Sequence, residues 1–184
     1  MGEIEMLLNK TLHALKKRLD ESGNMEILAE QGNIHTVHCS FNPPVESGKL
    51  QTFQEESKLM LPEDVREFLS QHNGARLYEM ILGSNNIGGG LLVYSLEEIK
   101  KTRAILQSLS EFIPIGYVFE NHLLIGRTAV DQDCPNYLYI AGTILKPEPL
   151  HLNLELFLDR FVVSQGSNFW DWPNYTAKNY YNHS

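Results

Sequence analysis

RLYEMILGSNNIGGGLLVYS, residues 76–95, decides the fold. Its glycines and asparagines invite a phosphate-loop reading. Such a loop follows a strand and opens a helix, whose first N–H groups meet the phosphate while a lysine neutralises charge. RLYEMIL (76–82) does read as a strand, but Gly88, Gly89 and Gly90 run into Leu91 and Leu92 and a second strand, LLVY. No lysine follows the glycines, and their spacing fails the dinucleotide pattern. The stretch is therefore expected to connect two strands, with glycine admitting backbone that other residues resist. A loop of this kind can also serve as an adaptable binding surface.

Working outward, strand follows strand rather than alternating with helix. FIPIGYVF (112–119) and HLLIGRT (122–128) read as a hairpin turned at Glu120-Asn121, and NYLYIA (136–141) as a further strand. MEILAEQGNIHTVHCSF (25–41) reads as another hairpin about Gln31-Gly32-Asn33, with Val37, Cys39 and Phe41 alternating against His38 and Ser40. Directly joined strands favour antiparallel pairing.

The helices carry their own marks. Residues 3–22 place Ile4, Leu8, Leu12, Leu15 and Leu19 on one face, with Lys16, Lys17 and Arg18 near the negative end of the helix. A short helix is expected over 47–57. In LPEDVREFLSQHNG (61–74), Pro62 suits the first turn, Glu63 and Asp64 meet the positive end, and Asn73-Gly74 ends the helix. Ser95 and Glu98 form a capping box opening a helix to about Leu109. Residues 151–166 form a last helix, capped by Asn153 and ended by Gly166. The fold class is α+β: a mostly antiparallel sheet with helices packed against it, in a single domain.

The chain has 184 residues, 42% hydrophobic and 21% charged, with a formal charge of −8. A domain of this length buries enough surface to need no staples. The acidic balance argues against nucleic acid and anionic membrane, which require a basic surface, and suits a basic protein partner. No run is apolar enough for a membrane helix or a secretory signal, so a cytoplasmic protein is expected. Cys39 and Cys134 read as reduced, mostly buried thiols.

Catalytic patterns are missing. There is no G-x-S-x-G elbow, no H-E-x-x-H and no paired C-x-x-C. Asp131-Gln132-Asp133 resembles the start of a calcium loop, but Cys134-Pro135 stands where ligands and glycine should follow. His35 and His38, three apart in a strand, point to opposite faces. No catalytic, cofactor-binding or metal-ligating residue is assigned, and no cofactor is expected.

A set of short motifs now falls into order. Asn42-Pro43-Pro44 is followed by Phe53 and by LPEDVREFLSQHNG. Then come ILG (81–83), YSLEEIKK (94–101), FIPIG (112–116), NYLYIAG (136–142), ELFLDRF (155–161) and FWDW (169–172). In this arrangement the chain resembles the SUKH superfamily, which includes the Smi/Knr cell-wall assembly regulators. The resemblance spans about residues 42–172. It implies a core domain there, preceded by an N-terminal helix and hairpin (1–41) and followed by an aromatic-rich tail (173–184). It also implies an α+β fold and a non-enzymatic role. Bacterial members resemble immunity proteins that neutralise a cognate toxin, often a nuclease; the alternative is a regulatory scaffold linked to cell-wall assembly. Leu61, Phe68 and Trp170 are expected in the core. Family toxin contacts are not set by motif, so none is transferred.

The charge pattern places the expected partner surface. Past residue 104, eight carboxylates (Glu111, Glu120, Asp131, Asp133, Glu148, Glu155, Asp159, Asp171) stand against four cations (Arg127, Lys146, Arg160, Lys178). A nuclease presents a basic cleft to phosphate, which carboxylates complement, while aromatic anchors slow dissociation. The residues expected to bind the partner are Glu120, Asp131, Asp133, Asp171, Trp172 and Tyr175.

Overall fold

The computed structural model describes residues 5–142 and 146–172. Among the described residues, six α-helices and nine strands make one α+β domain around a single antiparallel sheet. The chain runs α1 (Leu7–Arg18), β1 (Asn24–Leu28), β2 (Ile34–Phe41), α2 (Lys49–Ser57), α3 (Glu63–Gln71), β3 (Ala75–Leu82), β4 (Asn85–Gly88) and β5 (Leu91–Val93). It continues through α4 (Leu96–Ile105), β6 (Phe112–Val118), β7 (Asn121–Gly126), α5 (Arg127–Asp131), β8 (Leu138–Ala141), β9 (Glu148–Pro149) and α6 (Leu154–Val163). Strand order is β1-β2-β3-β5-β6-β7-β8-β9, and β4 pairs with the distal half of β3.

Alternation along the strands separates two faces. The inner face carries Val37, Leu77, Leu91, Leu123, Ile125 and Leu138, all buried. Leu8, Leu12 and Leu15 of α1, Phe68 of α3, and Phe157 and Phe161 of α6 join them in one core. The described residues cover the outer face only in part. Leu106 and Leu109, just after α4, close a smaller cluster with Leu124, Ala141, Phe112 and Tyr139. Over β3, β5 and β6 that face carries Arg76, Leu92 and Tyr117, joined by the pairs Arg76↔Leu92 and Leu92↔Tyr117.

The expected caps form as read. Ser95 and Glu98 close both bonds of the capping box, and the Asn153 side chain accepts from the Leu156 N–H. Leu61 and Phe68 are buried, and Trp170 is half-buried against the core.

Four local readings change. The glycine stretch holds a strand of its own, because Asn85 and Asn86 pair back onto Leu82 and Ile81. The β6–β7 hairpin turns at Phe119-Glu120 rather than one residue later, since Asn121 pairs with Val118. The short helix α5 was not anticipated. Cys39 is buried as expected, but Cys134 is exposed because it follows α5 on the surface. Burial raises the Cys39 thiol to about 11, only partly offset by the Tyr78 N–H that points at its sulfur.

Candidate functional site

Of the eight left-handed non-glycine residues among those described, four share one neighbourhood. Tyr78 (φ 61°), Phe119 (φ 44°), Glu120 (φ 64°) and Gln165 (φ 55°) are left-handed non-glycine residues, and all four line two depressions that flank Gly88–Gly90. Left-handed backbone is disfavoured for side-chain-bearing residues and collects where other constraints hold it.

Tyr78 makes a bulge in β3. By this bulge Leu77 and Tyr78 both face the core, after which the alternation resumes with Glu79 outward. The Tyr78 ring meets Phe161 edge to face at 5.5 Å, and its hydroxyl donates to the Val162 carbonyl at 3.2 Å. Gly90 then crosses close behind β3: a Cβ there would lie 2.2 Å from the Leu77 carbonyl oxygen. Close approach of two strands therefore explains Gly90, whereas Gly88 and Gly89 have open space around them and supply left-handed backbone.

The first depression lies on the inner face beyond the end of α6 and encloses about 460 Å³. Ile27, Val37, Met80, Ile87 and Phe119 line it, with Gln165 and Gly166 at one edge. Met80, Ile87 and Phe119 are exposed at 37%, 56% and 41%, and Leu82 beside them at 67%. The second, of about 630 Å³, lies on the outer face. Tyr117, Phe119 and Leu92 form its apolar wall, while Arg76, Glu79 and Glu120 supply charge. Glu79 is nearly buried; Arg76 donates to one of its oxygens at 3.0 Å and the Asn86 side-chain amide to the other at 2.9 Å. Glu120 is exposed at the rim.

The expected partner residues divide into two places. Glu120 sits in the turn between the depressions. Phe119 contacts Trp170 at 6.2 Å between ring centres, which brings Asp171 and Trp172 near the same end. Asp171 accepts from the Asn168 side-chain amide at 2.9 Å, and Trp172 is 56% exposed. Asp131 and Asp133 lie beyond the other end of β7, about 20 Å away along its six residues. Asp133 there lines a separate shallow depression with Glu63, Asp64 and Glu155. Tyr175 lies outside the described residues. Of the residues lining the second depression, charge counting had named Glu120 and not Tyr117, Phe119, Arg76 or Glu79. A faint signal existed in Phe119-Glu120, which occupies a two-residue turn usually made by Asn-Gly.

The recurrent motifs serve elsewhere. Asp64 is nearly buried and accepts from the Tyr137 hydroxyl and, at 3.1 Å, from the Glu155 N–H at the start of α6. Burial, then the Asp64 carboxylate beside it, pushes the Tyr137 phenol well above its ordinary value. Glu155 in turn accepts from the Leu8 N–H opening α1. Asn73 accepts from the Leu96 N–H opening α4, while its side-chain amide donates to Glu97.

The chain is 41% identical over 179 residues to the uncharacterized protein YobM of Bacillus subtilis (strain 168), covering 95% of this chain and 96% of that one. It is 23% identical over 143 residues to the uncharacterized protein YnaB of the same organism, covering 77% of this chain and 92% of that one. Residues 44–153 match the SMI1 / KNR4 family (SUKH-1), and the chain belongs to that family.

Proposed function

We propose that this protein is a non-enzymatic binding protein of the immunity type, acting in the cytoplasm by occluding a basic toxin, in the first place a nuclease. The observation that carries the reading is the uncovered surface about Gly88–Gly90. It sets half-exposed Phe119 on a strained turn between two depressions, with Glu120 at its side. Aromatic anchors beside exposed carboxylates suit capture of a basic protein: charge speeds encounter and apolar burial slows release. The non-enzymatic part draws on the motif residues. Asp64, Tyr137, Asn73, Ser95 and Glu98 are engaged by hydrogen bonds that cap helices.

The test is co-expression with toxin genes adjacent to the gene for this chain, reading host survival and complex formation. Protection together with a dissociation constant near 1 μM or below is expected. No protection and no complex with any adjacent toxin would sink the reading.

A further inference from the structure

We infer that the outer-face depression at the β6–β7 turn is a receptor for one cationic side chain, a guanidinium above all, presented by a protein partner. This deepens the binding-protein reading above and rests on it for the partner's biological identity, not for the chemistry. Tyr117, exposed at 37%, supplies an aromatic wall, and Phe119, whose ring packs toward Phe161 and Trp170, lines the turn beside it. A cation over an aromatic face is attracted by the ring's negative face, and guanidinium also stacks on it. Gly88–Gly90 line another side without side chains, so backbone can be approached closely.

Charge selects the sign of the ligand. Among the described residues, the pocket holds one cation, Arg76, and two carboxylates, Glu79 and Glu120. Arg76 and the Asn86 amide already engage both oxygens of Glu79. Glu120 is exposed, so one negative charge in the pocket is left to meet an incoming cation. The chain's formal charge of −8 reinforces that preference at long range. The neighbouring inner-face depression contains no carboxylate among its described lining residues, so it suits the apolar part of the same partner rather than the cation.

The probes are N-acetyl-arginine amide and its neutral isostere N-acetyl-citrulline amide, titrated into the full chain with amide chemical shifts as readout. The arginine derivative is expected to move the signals of Gly88–Gly90, Tyr117 and Glu120 in a saturable way, and the citrulline derivative to leave them. Glu120→Gln, an exposed change that keeps the side-chain shape, is expected to weaken binding by about threefold or more. Tyr117→Leu tests the aromatic wall with the carboxylates intact and is expected to weaken it as well. Equal responses to both probes, or a titration unchanged by Glu120→Gln, would overturn the pocket. Failure here is separable from failure of the immunity reading. A pocket that takes the arginine probe in a protein that binds no adjacent toxin upholds the pocket and removes the immunity role. A toxin held equally by wild type and Glu120→Lys upholds immunity and overturns the pocket as its docking point.

Discussion

Asp64 shows how much one carboxylate can organise. It takes the Tyr137 hydroxyl and the first-turn Glu155 N–H of α6 from a nearly buried position. Asp64→Ala would leave both donors unpaired and remove a helix cap. Destabilisation of about 3 kcal/mol is expected, read as a lower urea midpoint at unchanged slope. A loss under about 1 kcal/mol would show that the network does not hold α3 to α6. His72 gives a pH counterpart. Its Nδ1–H donates to the Asn42 carbonyl at 3.0 Å, and its Nε2 accepts from the Lys16 ammonium at 2.6 Å. Burial lowers its pKa, and Lys16 lowers it further against the opposing Asn42 contact. Burial lowers His122 too. For a histidine held neutral in this way, the unfolded chain binds protons more readily. Its stabilisation is therefore whole above about pH 6.5 and is lost as pH falls through the depressed folded value. Urea midpoints should fall from about pH 7.5 to about pH 5, and His72→Gln should flatten that slope. A midpoint that rises on acidification would contradict the assignment.

At the scale of elements, the β6–β7 hairpin carries a conflict between folding and exposure. Phe119 and Glu120 both adopt left-handed backbone in a two-residue turn, where Asn-Gly would be at ease. The Asn121 side-chain amide ties the turn by donating to the Phe119 carbonyl at 2.7 Å. Glu120→Gly relieves strain without touching the Phe119 packing against Phe161 and Trp170. Stability should rise by about 0.5–1 kcal/mol in thermal or urea melts, while partner binding falls. A destabilised variant would mean that Glu120 earns its place by folding alone. The glycine stretch resolves in the same terms: Gly90 permits strand crossing, while Gly88 and Gly89 shape an exposed ridge.

At the scale of the molecule, the segment before the family match is part of the same core. α1 buries Leu8, Leu12 and Leu15 completely or nearly so, and β2 lies inside the sheet between β1 and β3. Three buried leucines contribute about 5–9 kcal/mol together, comparable to the whole stability of a typical domain. Removal of residues 1–41 should therefore abolish cooperative melting and near-ultraviolet circular dichroism. A truncated chain that melts cooperatively would make that segment an appendage. The separation of carboxylates also belongs to this scale. Glu120 and Asp171 lie toward one end of the sheet and Asp131 and Asp133 toward the other, so one small partner face is not expected to engage all four.

Much of this architecture could be read from order and spacing. Strands in direct succession pointed to antiparallel pairing, and the Ser95–Glu98 and Asn153 caps were legible because capping is decided within four residues. The resemblance read from motif order agrees with the match of residues 44–153 to the SMI1 / KNR4 family. Local chemistry also identified glycine as backbone provision rather than a phosphate loop. Of the residues lining the candidate site, the sequence reading named only Glu120 as a partner contact. Pairing across the sheet decided the rest: a bulge at Tyr78 and a turn shifted to Phe119 place Arg76, Glu79, Tyr117 and Phe119 around one depression, from positions up to 43 apart in number. Short-range propensity carries no information about such registers, because they are set by which side chains bury well across strands distant in sequence.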